Sequence, residues 1–189
     1  MIILVACTEI NLGIGDAEGN LLFDLPRDMS RFKSITSGKH VVMGRKTWDS
    51  LPNKPLPKRK NYVLTHDESF EVKGKTQVLH SIEEVIELGK KKDIYVIGGG
   101  EIYKQLIDHA DKLIMTHVHT VDLRARVFFP DFDTDQWKIT ESKKQEADEK
   151  HKHSFTFATY KRIATKEEAE KKKVEEAKVL LEENKNTEE

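Results

Sequence analysis

Only one of the 189 residues is cysteine, Cys7, so no disulfide can form within the chain. The fold must hold by burial, which a chain of this length can supply. Such sparse cysteine fits a reducing compartment. Charge of one sign is also missing. Lys and Arg number 32 against 33 Asp and Glu, a formal net charge of −1. A global basic field for nucleic acid or a membrane surface is thereby excluded. No apolar run approaches the roughly 20 residues that a spanning helix needs. The apolar start MIILVACTEI has no basic leader and no cleavage-site pattern, so it reads as a core strand. A soluble, cytoplasmic protein is expected. Other absences narrow the chemistry. No His/Cys/carboxylate cluster has metal-ligand spacing. There is no Gly-x-Ser-x-Gly elbow, no spaced-glycine dinucleotide fingerprint and no internal repeat.

What is present is an alternation. Strand-like runs occur at Ile2–Cys7, His40–Met43, Lys60–Thr65, Gln77–Leu79, Ile94–Ile97 and Lys112–His119. Helical patterns lie between them. Pro26 to Thr36 has proline in its first turn and apolar Met29, Phe32 and Ile35. Ser81 to Lys90 opens with a capping-box pattern, and Glu101 to His109 follows three glycines. Trp137–Glu146 and Ser154–Ile163 are two longer strands with no helix between them. The expected fold is α/β, with one central, mostly parallel sheet, an antiparallel C-terminal hairpin closing its edge and about four flanking helices. Residues 164–189 change to Glu and Lys, with a Thr165/Glu168 capping-box pattern and a thin stripe of Val174, Ala177 and Leu181. A charged, solvated helix, frayed at its end, is expected as an extension of a domain at 1–163.

Two strand-to-helix junctions carry phosphate-binding character. At Val41-Val42-Met43-Gly44 a buried strand turns into a helix beginning Arg45-Lys46-Thr47. A helix N-terminus beside two cations and a hydroxyl can hold a phosphate. At Ile94-Tyr95-Val96-Ile97 a second strand enters Gly98-Gly99-Gly100 and then Glu101, and glycines let a backbone approach an anion closely. By itself the glycine run also fits a tight turn. In Leu25-Pro26-Arg27-Asp28, the carboxylate of Asp28 shares a helix face with Phe32 and Ile35, read as facing the core. It has two readings: a grip on a planar, amidine-like edge, or a simple complement to the helix dipole. Arg59, after Leu56-Pro57-Lys58, either forks onto a ligand carboxylate or is a surface cation. Cys7 reads as a small core residue, and His151 and His153 as part of a polar turn.

Taken in order, these pieces resemble the dihydrofolate reductase family over residues 1–163. The resemblance is carried by Gly13-Ile14-Gly15, Leu25-Pro-x-Asp28 with Phe32, Met43-Gly-Arg-Lys-Thr-Trp48, Pro55-Leu-Pro with Arg59, Ile97-Gly-Gly-Gly100, Thr116 and Phe129-Pro-Asp131. It implies NADPH-dependent reduction of dihydrofolate to tetrahydrofolate, by hydride transfer to C6 with protonation at N5. That reaction feeds one-carbon metabolism and thymidylate synthesis. It implies Asp28, Thr116 and Tyr103 as the catalytic group, with Asp28 binding the pterin edge and Thr116 bonding to Asp28. Val5, Cys7, Met29, Phe32, Leu51 and Ile97 would line the pterin and benzoyl pocket, and Arg59 would take the substrate's α-carboxylate. For NADPH it implies Cys7, Ile14, Gly44, Lys46, Thr47, Leu64, Ile97 and the Gly98–Tyr103 run of Gly98, Gly99, Gly100, Glu101, Ile102 and Tyr103. Arg45, Thr65 and His66 would surround the adenosine 2′-phosphate. A cis peptide at Gly98–Gly99 is implied as well. No metal, nucleic acid or membrane partner is implied, antifolate-type molecules are expected as ligands, and a monomer is expected.

Two departures from the family pattern concern the mobile lid at Asp16–Leu22. Leu22-Phe23 stands where Pro-Trp is usual, and Ala125-Arg126 where Gly-Asp is usual. Water placement and lid closure are the properties these changes would alter. The same fold also serves a pyrimidine reductase of riboflavin synthesis, and a non-catalytic scaffold is a third reading. Asp28, Phe32 and Arg59 together favour folate.

Overall fold

The computed structural model describes residues 1–175, apart from 73, 166 and 172. Ten strands and four α-helices occur between Ile2 and Arg162. In chain order they are β1 (Ile2–Thr8), β2 (Gly13–Gly15), α1 (Pro26–Thr36), β3 (His40–Gly44), α2 (Arg45–Ser50), β4 (Lys60–Leu64), β5 (Gln77–Leu79), α3 (Ile82–Lys91), β6 (Ile94–Val96), α4 (Gly100–Leu106), β7 (Lys112–Val118), β8 (Val127–Phe128), β9 (Trp137–Gln145) and β10 (Phe155–Arg162). Short 3₁₀ turns follow α4 at Ile107–His109 and precede β9 at Thr134–Gln136. Residues 167–171 and 173–175 are helical, and the reciprocal bonds of the Thr165/Glu168 capping box are made at 2.7 and 3.3 Å. Ala177 and Leu181, the rest of the expected stripe, lie outside the described residues.

Eight strands form one sheet in the order β5-β4-β3-β6-β1-β7-β10-β9. The first six are parallel, and β10 and β9 add antiparallel at one edge. The central strands are continuous apolar runs because helices and loops cover both of their faces. Val41, Val42 and Met43 are all fully buried. Val42 joins the large core with Leu4, Val85, Val96 and Leu106, whereas Val41 and Met43 join a second cluster with Trp48 and Val63. Alternation along β3 puts these clusters on opposite faces. Edge strand β9 exposes nearly its whole length, and its Lys138, Glu141, Lys143 and Lys144 discourage pairing with another chain.

The capping box on α3 forms as its sequence indicates. Ser81 accepts from the Glu84 amide at 3.3 Å, and the Glu84 carboxylate accepts from the His80 amide at 3.3 Å. Small β2 and β8 pair into a separate two-stranded ribbon. The sequence pattern does not reveal this ribbon, because both strands are too short to show a period.

After β5 the chain returns to insert β6 between β3 and β1, then places β7 on the far side of β1. Such a change of direction opens a crevice at the carboxyl ends of parallel strands, where α/β sheets hold ligands.

Candidate active site

Asp28 sits in the first turn of α1, whose start is favoured by Pro26. Thr116, buried on β7, donates its hydroxyl to Asp28 Oδ1 at 2.5 Å. Burial raises the Asp28 pKa, against the Thr116 hydrogen bond and the Arg31 guanidinium, which lower it. Arg31 is held in turn by the Met115 carbonyl at 3.3 Å and by the Phe157 ring at 4.5 Å. Nothing in the linear pattern singles out Arg31, because its partners lie on β7 and β10.

The rest of α1 corrects the reading of a core-facing ring. Phe32 and Ile35 are only half-buried, Met29 is exposed, and Thr36 alone in this helix is fully buried. The apolar face of α1 is therefore only partly covered beside the carboxylate. A stripe that the protein covers only in part is suited to a flat organic ligand.

From β1, the Cys7 thiol is pushed well up by burial and then by the Asp28 charge, so it stays protonated and is no nucleophile. Tyr103, buried on α4, donates its hydroxyl to the Val5 carbonyl at 2.5 Å, and burial raises its pKa. Its ring lies against Gly98, where an added Cβ would come within 3.2–3.3 Å of ring and hydroxyl atoms. Half-buried Leu51 and Ile97 pack together with the Val41/Met43 cluster.

Arg59 is fixed at the other end of α1. Its Nε donates to Thr36 Oγ1 at 2.9 Å, and its terminal nitrogens donate to the carbonyls of Pro57 at 2.7 Å and Lys33 at 3.2 Å. The guanidinium stands 5.8 Å from the Phe32 ring. A carboxylate, an apolar helix face and a pre-oriented arginine thus lie along one helix.

The two glycine junctions meet. The Gly44 amide donates to the Gly98 carbonyl at 2.7 Å. An added Cβ at Gly44 would lie 3.0 Å from Ile102, and one at Gly99 would lie 3.4 Å from Thr47 Oγ1. Gly98 has φ of +114°, and the Gly98–Gly99 peptide is cis. The backbone of Gly99 beside Thr47, with the exposed Lys46 on the facing helix, fits an anionic, phosphate-bearing cofactor. Ile14 is half-buried on the ribbon, and Glu101 is exposed on the first turn of α4. Arg45 stacks on Phe70 at 3.7 Å and pairs with Asp49 at 2.7 Å and Asp67 at 3.8 Å. Thr65 is half-buried and His66 exposed at the end of β4, beside this cluster. Leu64, the last residue of β4, is buried and joins the large core cluster.

The loop at Asp16–Leu22 is anchored by a residue the sequence pattern does not flag. Arg124 forks onto Asp122 at 2.6 and 3.0 Å and donates to the Leu22 carbonyl at 2.7 Å. Arg126 contributes its backbone amide to the Gly15 carbonyl at 2.9 Å. Among the described residues, no group of three or more His, Cys, Asp or Glu could hold a metal ion, and no helix is long and apolar enough to cross a membrane.

A mostly parallel sheet in which two glycine junctions meet, together with a carboxylate beside a partly covered apolar helix face, fits the class of cofactor-dependent α/β reductases. Comparison with known proteins narrows it. Residues 1–162 match the family model "Dihydrofolate reductase". The chain is 36% identical over 163 residues to dihydrofolate reductase of Bacillus subtilis, covering 86% of this chain and 95% of that protein. It is 36% identical over 140 residues to that of Staphylococcus aureus, covering 74% and 85%. A solved structure, dihydrofolate reductase from Enterococcus faecalis complexed with NADP(H) and RAB-propyl, superposes with a TM-score of 0.80 at 30% identity, covering 87% of this chain and 97% of that one. The chain belongs to the dihydrofolate reductase family.

Proposed function

We infer that the chain is an NADPH-dependent dihydrofolate reductase, which converts 7,8-dihydrofolate to 5,6,7,8-tetrahydrofolate. The observation that carries this reading is the half-buried Asp28 held by Thr116 at 2.5 Å beside a partly covered apolar helix face. Thr116 occupies Oδ1 from one side, and the carboxylate grips the N3 and 2-amino edge of the pterin with the acceptor capacity that remains. Bound NADPH supplies the hydride that reaches C6. Asp28 favours the N5-protonated pterin, with water carrying the proton, and Phe32, Met29, Leu51, Val5 and Ile97 keep bulk solvent off the ring. Arg59, already aimed by Thr36, Lys33 and Pro57, takes the α-carboxylate of the glutamate tail. Tyr103 fixes the floor of the cleft through Val5.

On the cofactor side, Gly44, Lys46, Thr47 and Gly98 to Ile102 cradle the pyrophosphate, and Arg45, Thr65 and His66 surround the 2′-phosphate. Arg45 must then share its charge between that phosphate and Asp49 and Asp67. Residues 1–163 form the catalytic domain and residues 164–189 an accessory extension. The protein acts as a cytoplasmic monomer. A spectrophotometric assay with NADPH and dihydrofolate tests the reading: dihydrofolate-dependent loss of NADPH is expected. Turnover of a pyrimidine substrate in its place would overturn it.

A further inference from the structure

His151 reads in the sequence as one residue of a polar turn. In the structure it is only 2% exposed, and its ring packs on Phe155 with centroids 5.4 Å apart. The turn between β9 and β10 closes on itself through paired amides: Asp148 to the His151 carbonyl at 2.9 Å, and His151 to the Asp148 carbonyl at 3.0 Å. Asp148 Oδ1 accepts from the Lys150 amide at 2.9 Å and lies 2.6 Å from His151 Nδ1. On the opposite side of the ring, Nε2 accepts from the backbone amide of Arg27 at 3.2 Å. An amide can only donate, so Nε2 carries no proton and the ring hydrogen is on Nδ1, facing Asp148.

This bond matters because of where Arg27 is. The first turn of a helix leaves N–H groups without partners, and a side-chain oxygen at the N-cap usually takes one. The N-cap of α1 is Leu25, which has none to offer. The Arg27 amide is the donor immediately before Asp28, and its acceptor comes from 124 positions along the chain. The Arg27 guanidinium also meets Asp148 at 2.7 Å, but that pair is solvent-exposed and contributes little. The buried imidazole is the contact that ties the start of α1 to the sheet edge.

We propose that His151, oriented by Asp148, is a positioning residue for Asp28, capping the first turn of α1 from outside the helix and so setting where the carboxylate stands. The proposal rests on the reductase reading and assigns that site a further residue. His151 touches neither ligand. It acts through Arg27 and α1, and Asp28 itself is faced by Thr116 from β7, Arg31 from α1 and Cys7 from β1.

The test compares the full-length chain with His151→Phe and His151→Gln. Phenylalanine keeps a ring against Phe155 and removes both nitrogens, whereas glutamine returns an acceptor where Nε2 stands. His151→Phe is expected to lower kcat/KM for dihydrofolate about tenfold, the scale of a small misplacement of a binding group. It should leave NADPH affinity unchanged. It should also move the pH midpoint of the Asp28-dependent step downward, as water reaches the loosened carboxyl. His151→Gln should recover most of both effects. Unchanged dihydrofolate constants and pH midpoint in His151→Phe, or an equal loss in His151→Gln, would overturn the proposal. Should His151→Phe not fold, Asp148→Ala at its exposed site gives the same reading: a loss confined to dihydrofolate supports the clasp and no loss refutes it. Wild-type turnover tests the reductase reading separately. Binding of a 2,4-diaminopyrimidine, whose amidine edge needs Asp28 but no turnover, reports on the clasp even in an inactive chain.

Discussion

Asp28 combines two opposed demands on one side chain. In its proposed role it must be ionised to grip a polar edge, yet burial raises its pKa more than Thr116 and Arg31 lower it. A carboxyl whose pKa is raised in the fold costs nothing below its unfolded value, taken as 3.8, where both states are protonated. As pH rises through the folded value, the native state loses stability relative to the unfolded chain. Asp28→Asn is therefore expected to be more stable than wild type at neutral pH, by thermal melting, with the gain vanishing below the unfolded value. Turnover should fall by about 10²- to 10⁴-fold. Near-wild-type rates at neutral pH would remove Asp28 from the mechanism. Arg45 makes a separate prediction. Losing its charge-assisted contact should weaken NADPH by about tenfold or more, with NADH little affected. Equal weakening of both cofactors, measured by titration, would reject its assignment to the 2′-phosphate.

Helix α3 shows how an element can contradict its own propensities. Gly89 lies within the helix, where alanine is ordinarily better by about 1 kcal/mol. A Cβ there would stand 2.5 Å from Ile2 Cγ1 and 3.5 Å from Ile94 Cδ1. Gly89→Ala is expected to destabilise by about 1–3 kcal/mol, the usual scale of an overpacked core, with a lower urea midpoint and unchanged slope. A raised midpoint would show that α3 can shift away from β1. The existence of α3 was legible from Ser81, Glu84 and its apolar spacing, because caps and periodicity are local. The closeness of Gly89 to Ile2 was not, since it depends on how the helix docks on the sheet. The same division runs through α1. Its Met29/Phe32/Ile35 stripe correctly marks a helix, but a stripe does not say whether protein or ligand covers it.

Across the molecule, the C-terminal extension meets the body through several of its described residues. Ala169 is buried, and Lys173 reaches Asp133 at 2.6 Å and Asp135 at 3.3 Å beside the turn before β9. None of these residues belongs to the cleft. Deleting residues 164–189 is expected to lower the thermal midpoint slightly while leaving steady-state turnover close to that of the full chain. A collapse of activity would make the extension part of the enzyme.

The amino-acid order by itself determined the alternation of strands and helices, the two glycine junctions and the motif set of the family. Each of these depends on neighbours a few positions apart, through backbone preference, capping and period. Only the tertiary structure decided which groups meet. Thr116 reaches Asp28 across 88 positions, Tyr103 reaches Val5 across 98, and His151 reaches Arg27 across 124. Those contacts follow from strand order. With β7 and β1 side by side and β10 next to β7, residues remote in the chain become adjacent. A buried donor such as the Arg27 amide then takes whichever acceptor the fold brings to it.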